Sequence, residues 1–385
     1  MAKILLLTDF SSGYSRSLLK GIVKYSKEFG PWVFYRMPLY YRMLNGDKGV
    51  VEWAKRWKAD AIIAQLQDVD VQELKDSGIP IIVQNYKDRK EDVYNLTGDY
   101  FNTGVMAADF YLRRGYRNFA FYGSMDTVWS RERADGFKAK IEEHDFKLFT
   151  FNSNPEKEPW SFNPTLLGEW LISLPKPVAL FACDDHFALQ IAEACKICNI
   201  DVPQDVAVLG VDNDQLICNI SDPPLSSIVL DVENGGYQAA KLLHQLINNE
   251  VNECRDIVIN PVRIEYREST EKYAVADRHI QTILKYIEEN YADPISVNDL
   301  IRLVPLSRRV LEKKFKCETG ISIYQYIQEF RIEQFSNLLI SSNKPLSEVS
   351  VLAGFDDYKN VFRIFRKYKK LTPAQFRKRY GEVPE

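Results

Sequence analysis

The stretch Val202–Asn213 reads V-P-Q-D-V-A-V-L-G-V-D-N, an apolar run that ends in polar side chains. A strand without polar alternation is typical of a parallel sheet that helices cover on both faces. Other short apolar runs share this character: residues 3–8, 61–64, 79–84, 118–122, 178–182 and 256–259. Amphipathic stretches typical of helices separate them, at residues 15–29, 50–58, 103–114, 131–144, 164–174, 186–199 and 235–249. The sequence up to about residue 270 is therefore predicted to form an α/β domain.

Length and composition indicate a soluble protein of two or three domains, because the 385 residues are 45% hydrophobic and 27% charged. No apolar run approaches the ~20 residues that cross a bilayer, and the run before Asp9 is too short for a signal peptide. We therefore expect a cytoplasmic protein with no membrane partner. The six cysteines form no disulfide framework, and Cys195-x-x-Cys198 lacks the second pair of a zinc site. No metal is expected.

The charge is distributed unevenly along the chain. Residues 279–385 carry 18 Lys and Arg against 13 Asp and Glu, a net +5, which leaves 32 against 40, a net −8, for residues 1–278. At residues 269–277 the alternation of strands and helices gives way to charged, non-periodic sequence. We therefore predict a sensor domain over 1–270, a linker over 271–278 and an all-α domain over 279–385. A basic module behind an acidic body suggests a polyanionic partner.

Polar side chains follow nearly every predicted strand of the α/β domain, where open parallel sheets bind their ligands. The candidates are Asp9, Gln65, Asn85, Ser124, Asp184, Asp185, Asp212 and Asn213. Helix capping is the structural alternative for any one of them, but the whole set favours a polar cleft. With Tyr14 and Trp129 as aromatic platforms, such a cleft suits a neutral polyol such as a sugar.

Motifs that would indicate an enzyme are missing from the sequence. There is no Gly-rich phosphate cradle, no G-x-S-x-G elbow and no H-E-x-x-H, so no cofactor is expected. A sugar-modifying or nucleoside-modifying enzyme, with Asp184, Asp185 and Asp212 as acid and base groups, remains the less favoured alternative.

The α/β region resembles the effector-binding domain of the LacI/GalR repressors. Besides the opening stretch, the matching segments are residues 3–28, D-Y-F-N-T-G-V-M-A-A and G-Y-R-N-F-A-F-Y-G within 99–123, R-E-R-A-D-G-F at 131–137 and C-D-D-H-F-A-L at 183–189. The resemblance implies a two-lobed, type I periplasmic-binding-protein-like fold, with lobes of about 1–97 plus 229–253 and 98–228 plus 254–269. It also implies effector contacts at Arg133, at Asp184 or Asp185, and at Asp212. The family's N-terminal helix-turn-helix is absent here, so DNA must be bound elsewhere.

Caps and helical spacing divide the basic region into two similar units. In the first, a short helix begins at the capping-box-like Ser296-Val-Asn-Asp299, and Pro305-Leu306 turns the chain into a basic helix after Ser307. A long helix over about 322–340 follows. In the second unit, Gly354-Phe355 separates a short helix from a basic helix that ends near Lys369. Each unit is predicted to be a helix-turn-helix.

This region resembles the AraC/XylS-type DNA-binding domain over essentially all of 279–385. The matching runs are L-S-R-R-V-L-E-K-K-F-K-C-E-T-G at 306–320, F-R-I-E-Q-F-S-N-L-L at 330–339 and the segment 346–373. The resemblance implies base readers at Arg309, Glu312 and Lys313 and at Tyr358, Lys359, Asn360 and Arg363. The complete predicted DNA-facing set adds Arg308, Lys316 and Lys367. The departures are Phe335 in place of Ala, Val361-Phe362 in place of an aromatic-polar pair, and Lys370 in place of Gly.

A LacI-type sensor followed by an AraC-type DNA-binding domain is the domain order of regulators of pentose catabolism. Two further segments resemble these regulators: G-Y-Q-A-A-K-L-L-H at 236–244 and P-V-R-I-E-Y-R-E-S-T at 261–270. The resemblance implies D-xylose or a related pentose as the effector and double-stranded operator DNA as the target. We expect a homodimeric activator, with RNA polymerase as a further partner. A repressor of the same architecture and a sensor for a different sugar remain open alternatives.

Overall fold

A computed structural model describes residues 1–8, 11–37, 49–66, 71–151, 164–250, 256–271, 273–275 and 277–380. The described part of the sensor region contains two six-stranded sheets. The first sheet contains β1 (Lys3–Leu7), β2 (Val33–Arg36), β3 (Ala61–Leu66), β4 (Ile81–Asn85), β5 (Tyr94–Gly98) and β11 (Ile257–Ile259). Its order is β11-β5-β4-β3-β1-β2, with every neighbouring pair parallel.

The second sheet has the same parallel character except at one edge. It contains β6 (Phe119–Tyr122), β7 (Leu148–Thr150), β8 (Val178–Ala182), β9 (Val206–Val211), β10 (Ser226–Leu230) and β12 (Pro261–Glu265). The order is β12-β10-β9-β8-β6-β7, and only β12 is antiparallel to its neighbour. The two-lobed fold class predicted from the sequence is confirmed.

Helices cover both sheets. They are α1 (Gly13–Phe29), α2 (within 49–57), α3 (Val71–Asp76), α4 (Tyr100–Arg113), α5 (Val128–Glu142), α6 (Pro164–Ser173), α7 (Asp185–Ile197), α8 (Gln215–Ile220) and α9 (Val232–Ile247). We call the lobe built on the first sheet lobe one and the lobe built on the second sheet lobe two. In lobe two, α4 and α5 approach so closely that a Cβ at Gly136 would lie 1.9 Å from the carbonyl oxygen of Phe101. The glycine of the R-E-R-A-D-G-F motif therefore permits the packing of α5, the helix that carries Arg133.

The chain crosses between the lobes three times, and the structure corrects two of the predicted boundaries. The first crossing follows β5 at Asp99, close to the predicted position. The second follows β10, at Asp231, because Ser226–Leu230 pairs with β9 in lobe two. The third lies at Asn260 rather than at residue 254, because β11 pairs with β5 in lobe one before β12 joins lobe two.

The C-terminal region is helical throughout its described residues and contains two apolar cores. Its helices are α10 (Arg278–Glu289), α11 (Val297–Leu303), α12 (Arg308–Thr319), α13 (Ile323–Ser341), α14 (Leu346–Leu352), α15 (Tyr358–Lys369) and α16 (Pro373–Tyr380). Ile283, Leu311 and Phe315 belong to the core of the first unit, which α10–α12 form with the start of α13. Phe335 and Phe365 belong to the core of the second unit, which α14–α16 form with the end of α13.

Phe335 explains one departure from the AraC-type pattern. Its side chain is fully buried, and its ring meets Phe355 and Phe365 edge to face, with centroids 6.3 and 5.3 Å away. The larger ring is therefore an internal packing element of the second unit. Val361 is also fully buried, whereas Phe362 is only half-buried, which settles the register of α15.

Lys370 adopts a left-handed backbone conformation, with φ 58°, where the chain leaves α15. A residue with a Cβ pays roughly 1–2 kcal/mol in this region, and glycine does not. We expect Lys370→Gly to raise the free energy of unfolding by about 1 kcal/mol in thermal or urea denaturation. Lys370→Ala is the matched control, because it removes the same side chain and keeps the Cβ. Equal effects of the two substitutions would contradict a backbone origin.

Within the described ranges, no helix is both long enough and apolar enough to span a bilayer.

Candidate functional site

The cleft between the lobes brings together four side chains from four segments of the chain. Arg133 on α5 is 2% exposed, and its guanidinium lies 3.7 Å from the carboxylate of Asp212, which follows β9. The guanidinium also donates to the carbonyl oxygen of Cys183 and lies 5.4 Å from the ring centre of Tyr100. Tyr14 on α1 adds a hydroxyl from lobe one. Its pKa is raised well above its ordinary value, first by burial and then by the nearby Tyr100 and Asp212.

Arg133 and Asp212 both keep buried polar atoms that make no hydrogen bond to the described part of the protein. These atoms are Nε of Arg133, a donor, and Oδ1 of Asp212, an acceptor. Burial raises the pKa of Asp212 to about 6, while the Arg133 charge lowers it. A buried donor and acceptor without partners are costly unless another molecule satisfies them. This pair therefore fits a ligand that both donates and accepts hydrogen bonds, as hydroxyl groups do.

Lobe one contributes polar groups from the carboxyl ends of its strands. Asn85, 2% exposed at the end of β4, donates to Asn95 over 2.8 Å, while its Oδ1 makes no hydrogen bond to any residue that the structure describes. Gln65 lies near the end of β3, opposite Gln84 of β4. Asp9 lies outside the described residues. The Trp129 ring on α5 stands edge-on to Tyr86, the residue after β4, with centroids 5.0 Å apart.

Asp185 and Asn213 both have hydrogen-bond partners inside lobe two. Asp185 is 1% exposed, and its two oxygens accept hydrogen bonds from the Ser227 hydroxyl and the Asp214 amide, at 2.6 and 2.7 Å. The Oδ1 of Asn213 accepts from Arg267 at 2.8 Å. Each therefore stabilises the ends of strands in lobe two.

Asp184 and Ser124 also make local contacts. Asp184 caps α7, since its Oδ1 accepts from the Phe187 amide at 3.0 Å. Both adjacent aspartates, Asp184 and Asp185, therefore hydrogen-bond to the protein itself. Ser124 lies in the turn before α5, where its hydroxyl accepts from the Asp126 amide over 3.4 Å.

The two lobes also contact each other directly at two places. At the first, the carboxylate of Asp214, in lobe two, accepts from the Gly13 amide at 2.6 Å and lies 3.3 Å from the Arg16 guanidinium. At the second, the Arg131 guanidinium reaches Asp88 at 2.6 Å. Arg89 and Glu132 form a second ion pair there. The relative position of the lobes therefore depends on polar contacts as well as on the chain crossings.

No sequence pattern selects Tyr100 or Asp214 as site residues. Tyr100 follows β5, a strand that lacks an apolar run, and it becomes part of the site only through its contact with Arg133. Asp214 lies two residues beyond Asp212, and only the folded chain shows that it faces Gly13.

The predicted DNA-facing residues of α12 all lie on its outer surface. Leu311 and Phe315 are fully buried on the opposite side. The exposed residues are Arg308, Arg309, Glu312, Lys313 and Lys316. Arg308 donates to Glu312 at 3.0 Å along the helix, which leaves Arg309, Lys313 and Lys316 as cations without an ion pair among the described residues.

The second predicted reading helix, α15, has the same division into two faces. Val361 and Phe365 are fully buried, whereas Asn360, Arg363 and Lys367 are exposed and Tyr358 is half-buried. The Arg363 guanidinium donates to Asn360 at 3.2 Å. The side chain of Lys359 lies outside the described part of the structure.

Comparison with known proteins bears on both regions. A periplasmic binding protein-like domain matches residues 108–270, and a helix-turn-helix domain matches residues 300–379. The xylose operon regulatory protein of Escherichia coli is 28% identical, with 99% of this chain and 98% of the relative aligned. The protein of the same name from Haemophilus influenzae is 28% identical over 97% and 98%. The solved structure of a xylose-binding transcription activator has 27% identity and a TM-score of 0.59, over 99% of this chain and 98% of that one.

The fold, the polar cleft and the two outward-facing basic helices define a DNA-binding transcription regulator with a sugar-binding type of sensor domain, and not an enzyme. Over its full length the chain has the architecture of the xylose operon regulatory proteins.

Proposed function

We propose that the chain is a D-xylose-dependent activator of pentose catabolism genes, in which the sugar bound between the lobes controls the grip of the C-terminal helices on operator DNA. The observation that carries the proposal is the ion-paired cleft residues Arg133 and Asp212, whose buried Nε and Oδ1 make no hydrogen bond to the described residues and are offered to a polyol. The relatives' names supply D-xylose as the particular sugar.

Tyr14 and Asn85 would contact the sugar from lobe one, while Arg133 and Asp212 would contact it from lobe two. Trp129 and Tyr100 supply aromatic surface beside them. A ligand that touches both lobes stabilises the closed arrangement by its preference for that arrangement over the open one. Asp9, Gln65 and Asp184 stay candidates for this site.

A thermal-shift panel of pentoses and hexoses on the full chain tests the proposed effector. A ligand that binds only the folded state raises the melting temperature, and the rise is larger the further its concentration exceeds its dissociation constant. We expect D-xylose to raise it more than D-ribose, L-arabinose or D-glucose does at the same concentration. A larger shift with another sugar would reassign the effector, and no shift with any sugar would contradict a sugar sensor.

Sugar affinity is expected to fall as the pH is lowered, because the pKa of Asp212 is about 6. The carboxylate is ionised at pH 7 and about nine-tenths protonated at pH 5, and an ionised group is the stronger acceptor. We expect D-xylose affinity to fall about tenfold between pH 7 and pH 5 in calorimetry. Asp212→Asn is the control: it retains the neighbours Arg133, Asp184, His186 and Asp214 and should bind more weakly with a flat pH profile. The same slope in that variant would exclude Asp212 as the cause.

The outer face of α12 is proposed to read bases in the major groove. Arg309→Ala should weaken operator binding by about 1–3 kcal/mol and relax the sequence preference at the bases it contacts. Lys316→Ala is the matched control, because the loss of a phosphate contact weakens binding to all sequences alike and reduces the salt dependence of binding. Binding-site selection with both variants checks this. An unchanged sequence preference in Arg309→Ala would remove this residue from the readers.

We further propose that the regulator acts in the cytoplasm as a homodimer and contacts RNA polymerase when it activates. The paired basic helices and the resemblance to sugar-operon regulators support this assembly. Sedimentation of the full chain with and without D-xylose tests the dimer, and a monomer under both conditions would contradict it.

A further inference from the structure

The DNA-binding domain contacts the sensor at several points, and nearly all of the described contacts are with lobe two. The carbonyl oxygens of Cys317 and Glu318, at the end of α12, accept from Arg117 at 3.1 and 2.7 Å. Glu329 of α13 pairs with Arg113 at 3.4 Å. The first unit and the long helix are therefore fastened to the segment that ends α4 and leads into β6.

Arg114 strengthens this attachment. Its guanidinium is enclosed by the rings of Phe110, Tyr266 and Tyr273, with centroids 4.9, 5.6 and 5.1 Å away. It lies 4.0 Å from the carboxylate of Glu288 on α10. A cation enclosed by aromatic rings loses cation–π stabilisation when the rings move apart. These contacts therefore oppose movement of the first unit relative to lobe two.

The second unit, in contrast, contacts the segments where the chain crosses between the lobes. Val262, two residues beyond the third crossing, is 6% exposed and belongs to the same apolar core as Phe335. Arg379 of α16 donates to Asp231, the residue of the second crossing, at 3.1 Å. The side chain of Asp231 is 7% exposed, and the same carboxylate oxygen accepts from Asn234 in the first turn of α9, at 2.9 Å.

These contacts attach the DNA-binding domain to both lobes. Arg113, Arg114 and Arg117 attach it to lobe two, and Val262 on β12 attaches the second unit to the same lobe. α9 belongs to lobe one, where it packs on α1, and it moves with that lobe when the lobes rotate about their crossings. Arg379 bonds the second unit to Asp231, the crossing residue directly before α9, so the second unit has a contact at the crossing that the first unit does not share among the described residues.

We propose that Asp231 and Arg379 are positioning residues through which the sensor sets the orientation of the second helix-turn-helix relative to the first. The inference rests on the proposed function, since it assumes that sugar changes the arrangement of the lobes. Neither residue needs to touch sugar or base to act. Arg379 acts through the shared second-unit core, in which α16 packs on α15 through an edge-to-face contact between Phe376 and Phe365, with centroids 5.1 Å apart.

The test measures operator affinity with and without saturating D-xylose, using the full chain and a duplex selected with the wild-type protein from a random pool. Allosteric coupling in proteins typically changes affinity about 5–150-fold. In Asp231→Asn and in Arg379→Gln the ratio of the two affinities should fall toward 1. D-xylose affinity should change less than about threefold, since neither side chain lies in the cleft.

Lys378→Gln is the matched control, because it removes one exposed cation from the same helix and leaves Asp231 bonded. It should weaken DNA binding equally with and without sugar. The double variant Asp231→Asn with Arg379→Gln should lose no more of the response than either single variant, and Arg379→Lys should restore part of it. Circular dichroism establishes that each variant is folded.

The outcomes separate the two claims. A wild-type response that persists in both single variants overturns this inference and leaves the proposed function standing. An equal loss of the response in Lys378→Gln also overturns it, because the effect would then be one of charge alone. A wild-type chain that shows no response to D-xylose overturns the proposed function, and this inference with it.

Discussion

Asp212→Ala is expected to abolish D-xylose binding and to leave the sugar-free affinity for operator DNA unchanged. The substitution removes the acceptor and leaves the Arg133 guanidinium, 2% exposed, without its carboxylate. Each hydrogen bond from a sugar hydroxyl to a charged acceptor contributes about 1.5–3 kcal/mol, and a carboxylate can accept more than one. A loss of about 100-fold in sugar affinity is expected, and isothermal titration calorimetry measures it.

Asp222→Ala is the matched control for this prediction. Asp222 also lies in a loop of lobe two, but its side chain is 77% exposed and pairs with Lys196 on the surface. Exposed pairs of this kind contribute little, so the control should keep wild-type sugar affinity. Retained D-xylose affinity in Asp212→Ala would remove Asp212 from the site.

Phe335→Ala should unfold the second unit of the DNA-binding domain while the sensor keeps its ligand. The ring is fully buried among Phe355 and Phe365, and deleting such a ring costs about 3–5 kcal/mol through lost burial and the cavity left behind. We expect a lower melting transition, loss of operator binding, and D-xylose affinity within about twofold of wild type.

Tyr324→Ala tests the specificity of that effect. Tyr324 lies on the same helix, α13, but is 68% exposed, so its truncation should change stability by less than about 0.5 kcal/mol. Differential scanning calorimetry of both variants gives the comparison. Wild-type melting of Phe335→Ala would show that this aromatic cluster does not stabilise the second unit.

The alternating fold could be predicted from the sequence because most central strands are continuous apolar runs. Two of the strands that escaped prediction, β5 and β10, contain buried polar residues. In β5, Asn95 is 5% exposed and bonds to Asn85 and Asp256. In β10, Ser226 is fully buried and bonds to Ser269 and Thr270. A polar residue can be buried only when it has hydrogen-bond partners, and here those partners are distant in sequence. The local sequence pattern of a strand therefore does not reveal them.

The same limit applies to the site. Motif position selected Arg133 and Asp212, which the structure brings within 3.7 Å of each other. Position after a strand also selected Asp185, whose carboxylate instead holds Ser227 and the Asp214 amide inside lobe two. A polar residue at a strand end can face the cleft or brace the loop that forms it. The direction of the side chain, which the sequence does not specify, distinguishes the two.

A sugar held between the lobes is proposed to change the affinity of the C-terminal helices for DNA. Fluorescence anisotropy of an operator duplex, titrated with the full chain at increasing D-xylose, measures this directly. We expect the operator affinity to change with D-xylose concentration until the sugar site is saturated, and to stay constant when D-glucose replaces D-xylose. Superimposable binding curves at every D-xylose concentration would contradict it.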